Sequence, residues 1–207
     1  MKLSGCIFLI CVVCFAQERI LQPPRKDLTA VHWPDLTKLE EGVREQIKNA
    51  QESLAATVKD PAKSETELSE AYGNLGQLYH AYSLARPARE SYTNAQILVP
   101  TDFRWPYLLG KLDQQEGLFE EASRHYRVAQ KLRPDYVPAL LNLGNLQEDL
   151  GRRDKAARLY ERILKIQPQH YEALARVATL KAVERPDDPI VVRLGRGDLR
   201  RLVVHPD

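Results

Sequence analysis

Hydrophobic residues recur at helical spacing through most of the chain. Between Leu36 and Val58 they lie three and four residues apart, which is the spacing of one face of an α-helix. Trp33-Pro34-Asp35 has the composition of a helix start, and Asp60-Pro61 has that of a helix stop. The pattern therefore predicts a long N-terminal cap helix over residues 34–60.

A period of 34 residues governs the middle of the chain. Ahead of it, Ser64 and Glu67 have the spacing of a capping box, which predicts that a helix begins there. Agreement of four residue types on one period indicates structural repeats. The residues that keep the period are Gly76, Gly110 and Gly144, Pro100, Pro134 and Pro168, Tyr92, Tyr126 and Tyr160, and Ala88, Ala122 and Ala156.

The period and its residues resemble the tetratricopeptide repeat, whose pattern is an aromatic residue, Leu-Gly and Tyr, followed by Ala, an aromatic residue and Pro. The resemblance implies an all-α, right-handed α-solenoid of about three helical hairpins. The cap helix would precede them and a half-repeat would follow. The implied segments are residues 64–102 for the first repeat with its leading turn, 103–136 for the second, 137–170 for the third and 171–185 for a capping helix.

The motif residues have structural roles in such a repeat. Gly76 and its equivalents let the first helix approach its neighbour closely, because glycine has no Cβ. Gly117 and Gly151 mark the turns inside the second and third repeats. The chain departs from the pattern in these two repeats, at Pro106, Asp113, Leu140, Gln147 and Ile163.

The N-terminus has the pattern of a secretory signal. Lys2 precedes an apolar run from Cys6 to Ala16, so residues 1–16 are expected to be cleaved before Gln17. A retained membrane anchor is the alternative, although the run is shorter than the ~20 residues of a spanning helix. We expect the mature chain to be exported to a bacterial periplasm or to the outside of the cell, with no membrane span after cleavage.

Cysteine usage is compatible with that expectation. Cys6, Cys11 and Cys14 all lie in the signal segment, so the mature chain has no thiol and forms no disulfide. The bacterial origin rests on this absence of disulfides and on the lack of an N-x-[ST] glycosylation acceptor.

Two further segments lack helical periodicity. Residues 17–33 are interpreted as a tether. Residues 186–207 begin with a Pro-rich breaker and hold either two short strands or a flexible tail. The tripeptide Arg196-Gly197-Asp198 is known from cell adhesion, but a three-residue match carries little weight.

Composition and motifs indicate a binding protein and not an enzyme. The chain has 30 Lys and Arg against 28 Asp and Glu, a net charge of +2, which lacks the basic excess of a nucleic-acid binder. Its five histidines include no helical metal pair, and no phosphate-binding or nucleophile motif is present. We therefore expect no catalytic residue, no metal and no cofactor.

The resemblance implies a concave surface lined by the first helix of each repeat, where a protein or peptide partner binds. The lining is rich in amides, which can bond the backbone of an extended peptide. The alternative is an inert polar face, and the Lys/Asn clamp of some co-chaperones is not matched. The implied lining residues are Asn74, Gln77, His80, Arg104, Tyr107, Lys111, Gln114, Asn142, Asn145, Glu148 and Arg176.

These observations predict an exported scaffold that mediates protein–protein interaction or complex assembly. A second role stays open, in which the chain is the N-terminal structural part of a larger envelope assembly and docks through residues 186–207.

Overall fold

The structure, a computed structural model, describes residues 19–184. A short β-hairpin precedes eight α-helices in this range. Strands β1 (Arg19–Leu21) and β2 (Val31–Trp33) pair antiparallel. The helices are α1 (Glu41–Lys59), α2 (Glu65–Ala81), α3 (Ala85–Leu98), α4 (Arg104–Gln115), α5 (Phe119–Leu132), α6 (Val137–Asp149), α7 (Arg153–Ile166) and α8 (Tyr171–Glu184).

The helices pack in consecutive pairs. Helix α2 pairs with α3, α4 with α5 and α6 with α7, while α1 packs on α2 and α8 packs on α7. This arrangement confirms the predicted all-α solenoid of three helical hairpins between a cap helix and a half-repeat. Two segments with predictions lie outside the described residues: the expected signal over residues 1–16, and residues 186–207, for which the sequence predicts either two short strands or a flexible tail.

The periodic glycines are positions of close approach, as predicted. A Cβ built on Gly144 would lie 2.6 Å from the ring of Tyr160, in the second helix of the same hairpin. The corresponding distances are 2.7 Å at Gly110 and 2.8 Å at Gly76. Real Cβ atoms do not come this near to a ring, so each glycine creates the space that a tyrosine fills.

The departure from the repeat pattern at Pro106 has a simple explanation. The buried aromatic residue of this repeat is Trp105, one position earlier. Its indole Nε1 donates to Ser69 Oγ at 3.0 Å, and Ser69 Oγ donates to the carbonyl of Ala95 at 2.9 Å. A Cβ on Gly73 would lie 2.1 Å from the indole ring. Trp105 therefore ties the second repeat to both helices of the first.

The N-terminal segment corrects two predictions. Within residues 19–33 the expected tether is a folded hairpin, and Val31 in it is fully buried. The cap helix begins at Glu41 and not at Pro34, because the Asp35 carboxylate accepts from the backbone N–H and hydroxyl of Thr37. Such a local bond offers the backbone an alternative to the helix. The capping box at Ser64 is present as predicted and opens α2.

Candidate functional site

The residues implied to line a groove all lie on the first helix of each pair, namely α2, α4, α6 and α8. We call the surface that they form the helix-A face. Side-chain bonds join neighbouring helices across it. His80 of α2 bonds Gln115 of α4 at 2.7 Å, and Tyr107 of α4 accepts from Asn142 of α6 at 3.3 Å. The structure therefore brings these residues together into one surface.

The bonds continue from α6 to α8. Asn145 Nδ2 donates to Glu172 at 3.3 Å, and Arg176 forms an ion pair with Glu148 at 3.6 Å. Gln115 and Glu172 also take part in this network. Glu172 was not among the lining residues implied by the sequence, because its partner Asn145 lies 27 residues away and local periodicity does not reveal the pair.

A tyrosine from the second helix of each hairpin supports this face from behind. Each ring lies against the periodic glycine, and each hydroxyl meets the side chain twelve residues earlier. Tyr126 donates to Gln114 at 2.8 Å and Tyr160 donates to Glu148 at 3.0 Å. Burial raises the pKa of both phenols, so they remain donors at neutral pH.

The sequence assigned these tyrosines only to the core, and their polar role was missed. The signal is nevertheless in the sequence, since the position twelve residues before each tyrosine is polar in every repeat. The three such pairs are His80 with Tyr92, Gln114 with Tyr126, and Glu148 with Tyr160.

His80 is neutral in this arrangement. Its Nε2 meets Gln115 Oε1 at 2.7 Å and its Nδ1 meets the Tyr92 hydroxyl at 3.2 Å, so Nε2 carries the proton and Nδ1 accepts. Burial lowers the pKa of the imidazole, and the positive charge of Lys111 lowers it further, while the bond to Gln115 opposes both. The imidazole therefore acts as a hydrogen-bonding group here and not as a charge.

The two basic residues of α4 differ in availability. Arg104 lies 4.6 Å over the ring of Trp105, bonds Asp102 at 2.9 Å and pairs with Glu70. Hydrogen bonds to these carboxylates raise the pKa of Arg104, so the guanidinium stays protonated. The negative charges of Asp102 and Glu70 balance its positive charge. Lys111 is exposed and has no ion-pair partner among residues 19–184. Lys111 is therefore the cation that α4 offers to a ligand.

The remaining lining residues divide in the same way. Asn74 and Gln77 are exposed and make no hydrogen bond within the described part of the chain. Gln114, Asn142, Asn145, Glu148 and Arg176 are half-buried and bonded to other side chains. The face thus has a bonded inner layer beneath a few free amide and ammonium groups.

An aromatic cluster adjoins Tyr107 and was not predicted. The ring centroids of Tyr107 and Tyr136 are 5.1 Å apart, and those of Phe103 and Tyr136 are 4.7 Å apart. The guanidinium of Arg133 lies 4.8 Å from the centre of the Phe103 ring. This cluster packs the ends of the second repeat against each other and supplies an apolar border to the helix-A face.

A second polar network lies inside the array. Asp113 is fully buried, bonds His125 Nδ1 at 2.5 Å and pairs with Arg89, which also pairs with Glu116. Asp113 occupies the position of Tyr79 in the first repeat and Gln147 in the third, where the sequence showed a departure from the pattern. The carboxylate joins α4 to α3 and α5, so its role is structural.

Two other observations concern the described residues as a whole. Within residues 19–184, no group of three or more His, Cys, Asp or Glu side chains has the arrangement of a metal site. None of the helices in this range is both long enough and apolar enough to cross a membrane.

Comparison with known proteins agrees with the repeat architecture. The family model of the tetratricopeptide repeat matches residues 113–183, which contain α5, α6 and α7 complete. This part of the chain therefore consists of tetratricopeptide repeats. The match extends from within α4 to within α8, and the same period continues through the first repeat. No significant match was found among the sequences of curated proteins.

Several solved structures share this fold. The crystal structure of MamA superposes with a TM-score of 0.62 at 23% identity, covering 74% of this chain and 85% of MamA. YrrB, described as a protein with an unusual peptide-binding site, gives 0.57 at 16% identity, with 77% and 82% covered. The first repeat domain of Spaghetti (RPAP3), bound to the HSP90 peptide SRMEEVD, gives 0.54 at 19% identity, with 59% and 98% covered.

Proposed function

We propose that this tetratricopeptide-repeat protein is a scaffold that binds an extended peptide segment of a partner protein along its helix-A face. The observation that carries the proposal is the layered chemistry of that face. Asn74, Gln77 and Lys111 are exposed donors above an inner layer held by buried tyrosine hydroxyls. Preorganised side chains lose little conformational entropy on binding, which favours affinity.

The exposed amide groups of the helix-A face are suited to binding a peptide backbone. Amide side chains both donate and accept, so they can bond the N–H and C=O groups of an extended chain without reading its sequence closely. Lys111 adds a preference for a carboxylate nearby. Two structurally similar proteins, YrrB and the Spaghetti (RPAP3) domain, are described with a peptide-binding site or a bound peptide, which supports this type of ligand.

The test is affinity capture from the native cell after crosslinking, with mass spectrometry of the captured proteins. The variant carries Asn74→Ala, Gln77→Ala and Lys111→Ala, which remove exposed groups without touching the inner layer. The matched control carries Lys48→Ala and Asn49→Ala, both exposed on α1. We expect one dominant partner that the triple variant loses and the control keeps. Equal capture by all three proteins would rule out the helix-A face.

We further propose that the chain is exported and that residues 1–16 are its signal. Support comes from Lys2 and the apolar run that follows it. N-terminal sequencing of protein from the cell envelope fraction is expected to begin at Gln17. Replacing Leu9 and Ile10 with Arg is expected to leave the full-length chain inside the cell. Full-length protein at the native location would instead indicate that the segment is retained.

A further inference from the structure

The second helix of the first repeat already holds an extended segment of this chain on its outer surface. Asn94 Oδ1 accepts from the backbone N–H of Thr29 and Asn94 Nδ2 donates to the carbonyl of Thr29, both at 2.7 Å. Glu90 accepts from the backbone N–H of His32 at 2.8 Å and meets His32 Nδ1 at 2.6 Å. Backbone capture by two side chains spaced one helical turn apart is a mode of peptide recognition.

Apolar contacts complete this docking. Leu28 and Val31 of the N-terminal segment belong to the same core cluster as Leu98 of α3. Leu98 is only 4% exposed. Residues 90 and 94 of α3 hold the segment by hydrogen bonds, and Leu98, one turn further along the same side of the helix, is buried in the same cluster as the segment.

The 34-residue period places equivalent positions on the next two repeats. In these two repeats the side chains at several of those positions are exposed to solvent. Leu132 and Ile166 correspond to Leu98, yet they are 38% and 37% exposed. Val128, which corresponds to the buried Asn94, is 37% exposed. We call this surface the helix-B face; it consists of Arg124, Val128 and Leu132 on α5 and of Arg158, Arg162 and Ile166 on α7.

We propose that the helix-B face docks an extended segment of a partner protein that presents both carboxylates and apolar residues to it. The charge at the first position of each triplet decides the chemistry. Glu90 in the first repeat is replaced by Arg124 and Arg158, so a surface that accepts hydrogen bonds becomes one that donates them. Guanidinium groups bind carboxylates in paired hydrogen bonds, and the exposed Val, Leu and Ile take the apolar residues.

Neighbouring charges keep this face positive. Lys131 and Lys165 are exposed on the same two helices. Two glutamates partly offset them: Glu121 pairs with Arg124 at 2.6 Å, and Glu161 pairs with Lys181 at 3.6 Å. The Arg124 pair is exposed, and exposed pairs of this kind contribute little, so that guanidinium remains available to a stronger partner.

The N-terminal segment of a second copy does not fit this surface as well. In its own docking site that segment is held by the side-chain acceptors of Asn94 and Glu90. Val128 and Arg124 at the same positions supply no acceptor. Arg25 and Lys26, just before the docked residues, would also face a positive surface. An acidic segment is the complementary choice.

The test uses fluorescence anisotropy of the full chain with a labelled peptide of sequence Ser-Val-Val-Glu-Glu-Val-Ser, which presents both side-chain types on each side of an extended chain. A peptide with Lys in place of Glu is the control ligand. We expect binding of the acidic peptide that weakens with salt, and no binding of the basic peptide. Equal binding of the two peptides would overturn the proposal.

Variants locate the binding surface. Arg124→Glu and Arg158→Glu are each expected to weaken binding by about tenfold, the effect of reversing one charge at an interface. Lys48→Glu on α1 and Lys111→Ala on the helix-A face are expected to leave it unchanged. This second control separates the helix-B face from the proposed peptide groove. Loss of binding in Lys111→Ala alone would place the peptide on the helix-A face and would overturn the inference.

Two other possible ligands of the helix-B face would give different results in these assays. If the chain binds vesicles of phosphatidylglycerol through Arg124 and Arg158 but not the acidic peptide, the ligand of this face is a lipid surface. If the acidic peptide binds only after truncation following Glu184, the face is already occupied by the chain's own C-terminal residues. Either result contradicts a partner segment as the occupant.

Discussion

The turn inside each repeat requires one residue with a left-handed backbone. Gly117 and Gly151 take φ values of 75° and 71°, as glycine does readily. Ser83 occupies the same position in the first repeat and has φ 58°. The sequence predicted the two glycine turns but gave no sign of the third, because a serine is not a marker of this conformation. For a residue with a Cβ, this backbone region costs about 1–2 kcal/mol.

We expect Ser83→Gly to stabilise the protein. The substitution removes the left-handed penalty, partly offset by the greater freedom of glycine in the unfolded chain, so the free energy of unfolding should rise by about 0.5–1 kcal/mol. Urea denaturation followed by circular dichroism measures this change. The matched control is Gly117→Ser, which should lower the free energy of unfolding by a similar amount. A destabilised Ser83→Gly would mean that the serine side chain stabilises the turn.

The half-buried neutral imidazole of His80 makes stability sensitive to acid. Burial lowers its pKa in the folded protein below the ordinary value of 6.5. As the pH falls through 6.5, the unfolded chain takes up a proton before the folded protein does, so the free energy of unfolding decreases. Above that pH both states are neutral and the contribution is constant.

We expect His80→Gln to reduce this loss of stability. Glutamine is present at the equivalent position of the second repeat, where Gln114 bonds Tyr126, so the hydroxyl of Tyr92 keeps a partner. The measurement is urea denaturation at pH 7.5 and pH 5.5 for both proteins. The difference between the two pH values should be smaller in the variant. An equal difference would show that His80 does not contribute to the acid sensitivity.

At the scale of elements, the β-hairpin depends on α3 for its place in the fold. Two strands of three residues are not stable alone in water. Glu90 supplies the bonds that hold β2, and Asn94 supplies those that hold Thr29, two residues before the strand; these pairs are separated by 58 and 65 residues. A local pattern has no means of showing such pairs, which is why residues 17–33 were interpreted as a tether.

We expect Asn94→Ala to detach this segment. The change removes two hydrogen bonds and leaves the backbone groups of Thr29 without partners, at a cost of about 2–3 kcal/mol. Hydrogen exchange should become faster at the amides of residues 29–33, with little change in α5 to α8. Asn49→Ala on the exposed side of α1 is the control and should change neither quantity. Unchanged exchange at Thr29 in Asn94→Ala would contradict the docking role.

The helices themselves were predictable to different degrees. The start of α2 was predicted correctly, because the capping box at Ser64 is a local hydrogen-bonding device. The predicted start of α1 was wrong. The Asp35 carboxylate accepts hydrogen bonds from the N–H and hydroxyl of Thr37 in a turn, so Pro34 lies outside the helix. Both results come from the same kind of side chain, an oxygen acceptor near a helix start, and only the geometry of the backbone distinguishes them.

At the scale of the whole molecule, each repeat is covered by its neighbours. Leu140, Ile163 and Leu164 of the third repeat share a core cluster with residues of α8. Helix α8 in turn contributes Leu174 and Val177 to that cluster. A repeat array needs such a terminal helix because its last hairpin otherwise exposes an apolar surface.

We expect truncation after His170 to destabilise the array. Loss of α8 exposes several Leu, Ile and Val side chains, each worth about 1.5–3 kcal/mol, which corresponds to a fall in Tm of roughly 10 °C. Truncation after Glu184 is the control, since it keeps all contacts among the described residues. Thermal unfolding and light scattering measure stability and aggregation. An unchanged Tm in the shorter chain would mean that α8 does not cap the array.

The sequence alone determined the repeat period, the pairing of helices into hairpins, and the periodic glycines and tyrosines of the core. These features are repeated every 34 residues and arise from contacts within one repeat or between adjacent ones, so periodicity reveals them. The tertiary structure decided what has no period. It docks the N-terminal segment on α3, buries Asp113 between Arg89 and His125, and separates the bonded residues of the helix-A face from the free ones. Each of these depends on which side chains meet in space, and spacing along the chain does not specify that.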